Sequence, residues 1–162
     1  MNDAAIEDEV ELKVVIRPAA EQDFEWCVRL MAASDPWKRY ECSEEWCRRV
    51  LHWRGSALYI ADRGKPAGFL LLHERGFLGS PYIAVLAVPE EFRSAGIGSD
   101  LIEFAEREFG PARHAFLVVA SFNERARRLY ERHGYKVTGE LPDFMVEGTS
   151  EFLMCKRLDR HM

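Results

Sequence analysis

Between residues 57 and 88 the chain carries three apolar, strand-like runs in succession with no helix between them; after residue 88 it alternates helix and strand. The runs are residues 57–61, 67–73 and 82–88. A turn at Arg63-Gly64-Lys65-Pro66 parts the first two, and residues 76–81 make a longer connection to the third. Consecutive strands imply antiparallel pairing, whereas each later strand–helix–strand step favours a parallel neighbour. The expected result is a mixed sheet flanked by helices.

The flanking pattern agrees. Residues 12–17 read as a strand closed by Pro18, and Phe24, Cys27, Val28 and Met31 recur at helical spacing within 20–33. Ser43 followed by Glu44 and Glu45 starts a second helix, with a hydroxyl cap and acids in the first turn, that ends near Gly55. Ile97, Leu101, Ala105 and Phe109 mark a helix stopped by Gly110-Pro111, residues 115–120 a buried strand, and residues 123–133 a helix stopped by Gly134. Strands near 135–140 and 150–158 complete the order. The chain of 162 residues fits one domain over 12–162, preceded by a flexible acidic tail at 1–11.

Charge matters here by position. The net charge is −5, yet residues 1–25 hold eight acids and two bases, and residues 93–136 hold eight bases and six acids. That balance argues against a protein built to neutralise nucleic-acid phosphates. The apolar runs are far shorter than the ~20 residues that span a bilayer, so no membrane partner is expected. No basic segment followed by an apolar one opens the chain, and Cys27, Cys42, Cys47 and Cys155 form no CxxC pair and no ligand spacing with the histidines. A cytoplasmic setting, reduced thiols and no metal are therefore expected.

The segment that carries chemistry is 88–99, Val-Pro-Glu-Glu-Phe-Arg-Ser-Ala-Gly-Ile-Gly-Ser, between a buried strand and an amphipathic helix. Gly96 and Gly98 let the backbone turn tightly and approach a ligand, where a Cβ would crowd it. The unpartnered amides and positive dipole end of the following helix favour a phosphate or pyrophosphate. Arg93 either contacts that anion or holds the loop. No Lys follows Gly98, so this is not a P-loop, and Leu101 stands where a dinucleotide fingerprint needs its third glycine.

Arg93-x-x-Gly96-x-Gly98, followed by Asn123-x-x-Ala126-x-x-Leu129-Tyr130-x-x-x-Gly134-Tyr135, resembles the GNAT superfamily of acetyl-CoA-dependent N-acetyltransferases. The resemblance covers the element order from about residue 12 to 158. It implies an α/β (α+β) fold: a mixed, mostly antiparallel central sheet of six or seven strands, about four helices, and a splayed parallel strand pair that holds the cofactor. It implies acetyl-CoA as donor, with backbone groups of Leu86, Ala87 and Val88 along the pantetheine arm and one freed amide stabilising the oxyanion. The amides from Ser94 through Ala95, Gly96, Ile97 and Gly98 to Ser99 would hold the pyrophosphate. Asn123 would cap the next helix and fix the parting strands, with Ala126 beside the cofactor.

On the same resemblance Tyr130 is the catalytic residue. A phenol of pKa ~10 can protonate the leaving thiolate of coenzyme A without being consumed at neutral pH. Periodicity alone reads Tyr130 as one more core aromatic. Family members that modify protein N-termini carry a Glu five residues before the Asn motif; Val118 stands there, which leaves the base open among His73, Glu74, Tyr82, Glu151 and water. Arg125, Arg127, Arg128 and Arg132 either form a solvated face paired with Glu124 and Glu131 or reach the cofactor's terminal phosphates. Trp37, Tyr40 and Glu41 either make an aromatic wall with an acid for an ammonium group or serve as core or lid packing. The expected activity is direct acetyl transfer to a primary amine of a small molecule or peptide by a monomer or homodimer. The other reading is a GNAT-like module that holds acyl-CoA as a sensor or scaffold without turnover.

Overall fold

In the computed structural model, which describes residues 12–158, the strand-rich middle of the chain pairs in sequence order. β1 (Val15–Pro18), β2 (Ser56–Asp62), β3 (Pro66–Phe77) and β4 (Ser80–Ala87) are successive antiparallel neighbours. β5 (His114–Ala120) lies parallel to β4, and the pair β6 (Lys136–Pro142) and β7 (Ser150–Arg157) completes a seven-stranded sheet of order β1-β2-β3-β4-β5-β7-β6. Helices α1 (Phe24–Ala32) and α2 (Glu44–Leu51) cover one face; α3 (Ile97–Glu108) and α4 (Glu124–Arg132) cover the other. The acidic tail expected at 1–11 lies outside the described residues.

Four expectations are corrected. The connection at 76–81 is a two-residue hairpin: β3 runs on to Phe77, and Leu78 and Gly79 turn with φ of 48° and 76°. Positive φ at both central residues matches the twist of the flanking strands. The step from β5 through α4 does not end on a parallel neighbour of β5, because β7 inserts between β5 and β6 and runs antiparallel to both. β7 buries Glu151 and Met154 and takes the interior place, whereas β6, mostly exposed and carrying Gly139 and Pro142, stays at the edge. The second helix stops at Leu51 and not near Gly55, and the first strand starts at Val15.

Side chains alternate across β3, with Phe69 and Leu71 in the core under α1 and α2, and Leu70 and Leu72 in the core under α3 and α4. β4 breaks this alternation. Leu71 lies opposite Val85 while Leu72 lies opposite Ile83, so Ala84 is an extra residue, a β-bulge. Ile83 therefore faces α3 and α4, and Val85 and Ala87 face α1 and α2. The bulge sits where β4 and β5 part: only Tyr82 with Phe116 and Ile83 with Leu117 are paired. From Ala84 and Val118 onward, the groups these two strands turn toward each other have no ladder partner.

The first strand is tied to the start of α1 by charge. Arg17 reaches Asp23 at 2.6 Å and Asp62 at 3.0 Å, and Asp23 is 4% exposed and also accepts from the Ala20 amide at 2.7 Å. The Arg17 guanidinium, with the Ala20 amide, holds the Asp23 carboxyl below the usual carboxylate range against the cost of burial. A depressed pKa stabilises the fold above the unfolded value of ~3.9 and loses that contribution as pH falls through the folded value. Asp23→Asn is expected to cost about 2 kcal/mol at pH 7 in urea unfolding, with the difference from wild type shrinking below pH 4. A constant difference across that range would show that the pair contributes no ionic stabilisation.

Candidate active site

The turn from β4 into α3 is built from local rules. A single 3-10 turn, Glu90–Phe92, follows Pro89, and Ser94 and Gly96 then adopt φ of 69° and 82°. Gly96 caps α3, whose first internal bond runs from the Asp100 amide to the Gly96 carbonyl at 3.0 Å. The amides of Ile97, Gly98 and Ser99 thus have no acceptor within the helix. They border a groove of about 920 Å³ that Leu86, Ala87 and Val88 line on the strand side and Asn123 and Ala126 line on the α4 side. Arg93, Arg125, Arg128 and Arg132 surround it, and with the dipole end of α3 they give it a positive field. The groove has the length of exposed backbone, the free amides and the charge that a pyrophosphate-bearing thioester requires.

The two glycines differ. A Cβ on Gly96 would meet nothing within 4 Å, and its φ is what requires glycine. A Cβ on Gly98 would come within 2.9 Å of Leu129 Cδ2, so Gly98 leaves room for the Leu129 side chain, and both residues line the groove. Arg93 donates to the Val88 carbonyl at 3.3 Å and so holds the loop, while its side chain borders the groove. Ala95 is exposed and lies outside the lining. Asn123 caps α4, its Oδ1 accepting from the Ala126 amide at 3.3 Å. Arg127 pairs with Glu131 at 3.7 Å and Arg128 with Glu124 at 3.5 Å; Arg125 reaches Ser94 Oγ at 3.4 Å across the groove.

A second cavity of about 520 Å³ opens between the diverging strands and joins the groove at Trp37, Leu86, Asn123 and Ala126. Trp37, Tyr40, Trp46, Trp53, Tyr82 and Phe144 wall it, and Glu151 is the buried charge on its surface. Glu41, in contrast, is exposed, with φ of 56°, and does not border the cavity. Of the four side chains considered as base, Tyr82 and Glu151 line it. His73 instead sits 3.1 Å from the Arg54 carbonyl and packs on Trp53, and Glu74 is exposed outside. Val118 lines the cavity as an apolar residue. Sequence reasoning missed that Tyr40 and Glu151, 111 residues apart, hydrogen bond to each other, Tyr40 donating.

Tyr130 is 7% exposed, packs edge-on against Tyr135 at 6.1 Å, and belongs to the core under α3 and α4, yet its side chain also borders the cavity of the opposite face. Burial, and secondarily Tyr82, raise its pKa well above the ordinary phenol, and burial pushes Tyr82 up to about 12. Burial and the neighbouring Glu151 likewise raise Tyr40. All three phenols stay protonated at neutral pH.

Residues 19–135 match the acetyltransferase (GNAT) family model. An uncharacterized N-acetyltransferase of Methanocaldococcus jannaschii, MJ1530, is 32% identical over 108 residues, which are 63% of this chain and 67% of the relative. Among solved structures, Ard1 from Thermoplasma volcanium superposes with a TM-score of 0.73 at 22% identity, over 91% of this chain and 99% of that one. The ribosomal-protein-S18-alanine N-acetyltransferase from Escherichia coli gives 0.74 at 16% identity, over 93% and 97%. NAA60 of Arabidopsis thaliana, solved in complex with acetyl-CoA, gives 0.72 at 18%, over 90% and 99%. With the fold shared and the family model matched across both motifs, this chain belongs to the GNAT acetyltransferases, as an N-acetyltransferase whose donor is acetyl-CoA.

Proposed function

We propose that the chain moves the acetyl group directly to a primary amine held in the aromatic cavity, with Tyr130 as the acid. The observation that carries this reading is the junction of the two spaces at Leu86, Asn123 and Ala126, beside the parted strands, with Tyr130 lining the aromatic cavity on one side of it. When bound, acetyl-CoA supplies an acyl thioester, activated for attack at its carbonyl. The residues of this chain do the rest. Amides of Ile97, Gly98 and Ser99, with the surrounding arginines, bind the pyrophosphate end. Backbone groups of Leu86 to Val88 align the arm as an added strand, and an amide on the free side of β4 donates to the carbonyl oxygen as negative charge develops there. Tyr130 gives its proton to the departing sulfur, and Glu151 takes the proton that the amine must lose. Glu151 suits that task because it lines the cavity with a buried Oε2 that has no hydrogen-bond partner among the described residues, whereas Tyr82 is no base at neutral pH.

The four cysteines are free, and those of α1 and α2 are fully buried, with burial pushing the Cys27 thiol up to about 12 and the Cys47 thiol to about 11. Neither serves as a nucleophile at neutral pH, which favours a ternary complex over an acetyl-cysteine relay. Release of free thiol from acetyl-CoA is expected with at least one member of a primary-amine panel and not with matched alcohols. A panel that drives no release, while acetyl-CoA still raises the melting temperature, overturns the reading.

A further inference from the structure

We infer that Glu151, braced by Tyr40, is the seat of the acceptor's ammonium group, and that the acceptor class is a monocationic primary amine carried on a flat apolar body. The word acceptor rests on the transferase reading above; the seat itself is defined by geometry and is tested without turnover.

Glu151 is the second residue of β7, opposite Ala120 of β5, and is 2% exposed. Phe152 and Met154 pack in the core under α3 and α4, so the alternation of the strand turns Glu151 to the opposite face, into the cavity. Tyr40 donates to its Oε1. Oε2 is buried and has no hydrogen-bond partner among the described residues. Carboxylate oxygens in protein interiors are satisfied, because an unmade bond to a buried charged group costs more than one to a neutral group. A donor carrying positive charge, brought by a ligand, completes the pair.

The walls define the rest of that ligand. Among the described lining residues the other charged side chains are Asp35 and Arg49, both exposed at the rim and of opposite sign, so Glu151 sets the field inside. Trp37, Trp46, Trp53 and Tyr82 offer aromatic faces that attract a cation and stack on a flat group. A polyamine would bring a second ammonium with no second buried carboxylate to meet it. A free amino acid would bring a carboxylate against apolar walls without a buried cation. The volume of about 520 Å³ suits a small molecule.

The test is a titration of the full chain at pH 7.5 in the absence of acetyl-CoA, with 2-phenylethylamine, its neutral counterpart 2-phenylethanol, phenylalanine and spermidine, read by the fluorescence of the cavity tryptophans. 2-Phenylethylamine is expected to bind at least ten-fold more tightly than each of the other three, the difference a charge-assisted hydrogen bond supplies. In Glu151→Gln the amine and the alcohol are expected to bind within about two-fold of each other, while acetyl-CoA still raises the melting temperature. Equal binding of amine and alcohol by wild type, no saturable binding of the amine, tighter binding of phenylalanine or spermidine, or an undiminished preference in folded Glu151→Gln each overturns the seat. The wild-type series requires no variant, so it decides the matter even where Glu151→Gln fails to fold. Loss of the preference leaves the thiol-release test of transferase activity standing, and failure of that test leaves this one standing.

Discussion

Tyr130→Phe is expected to lower kcat ten-fold or more while leaving the Kd for acetyl-CoA, measured by calorimetry, within about two-fold of wild type. The substitution removes one hydroxyl and keeps the ring, so the edge-on packing against Tyr135 and the closed core under α3 and α4 survive. What is lost is a proton held at the end of a buried side chain, and positioned proton transfer accounts for roughly 10²–10⁴-fold in rate. The raised pKa of Tyr130 sets the form of the pH profile. A group whose pKa lies above that of a free phenol, ~10, keeps its proton throughout the working range. The wild-type kcat should therefore rise with pH as the amine is deprotonated and show no alkaline fall before pH 10. A Tyr130→Phe enzyme with an unchanged kcat would remove the acid role, and an alkaline limb near pH 8 in wild type would assign the acid to another group.

The second large effect is expected at Gly98. A leucine there places a Cβ 2.9 Å from Leu129 Cδ2, inside van der Waals contact, and the rest of the side chain must go between α3 and α4. Overpacking of this kind costs roughly 1–3 kcal/mol, relieved where the flexible end of Leu129 turns aside. Because Gly98 and Leu129 both line the groove, the added bulk falls among the free amides of α3 and the donors Arg125, Arg128 and Asn123 opposite them. Gly98→Leu should lose at least 100-fold in acetyl-CoA affinity, seen as absence of a melting-temperature shift at concentrations that saturate wild type. Gly96→Ala makes the contrast. No atom obstructs its methyl, so only the strain of positive φ is paid, and binding should weaken by a few-fold. Full affinity in Gly98→Leu would mean that the α3–α4 groove is not where the nucleotide end binds.

What could be read from the sequence is local. The caps of α2 and α4 follow from Ser43 and Asn123, whose side chains accept from the Trp46 and Ala126 amides as their positions predict. The parallel β4–β5 pair follows from the helix between them, and the phosphate-type turn from two glycines before an amphipathic helix. The misses share a different cause, since each depends on partners distant in the chain. Leu78 turns with positive φ because a two-residue hairpin demands it, and nothing about leucine announces that. β7 wins the interior over β6 through a competition of two strands for the one free edge of β5. The bulge at Ala84 is a mismatch in count between β3 and β4, invisible in either strand alone. Tyr40 and Glu41 are adjacent in sequence and equally plausible as acceptor contacts; only the register of β7 against β5 brings Glu151 to Tyr40 and leaves Glu41 outside.

The divergence of β4 from β5 has a mechanical consequence. Strands β1 to β4 form one plate and β5 to β7 another, and the backbone ladder that joins them is two residue pairs long. The plates are otherwise linked through the side-chain cores on either face. Such a seam is a soft line in the sheet, since opening it breaks few backbone hydrogen bonds and the walls of both cavities border it. A ligand that lies along the seam and bonds to both plates acts as a removable rivet: it adds rigidity where the ladder is short, and its departure returns the freedom to let product out.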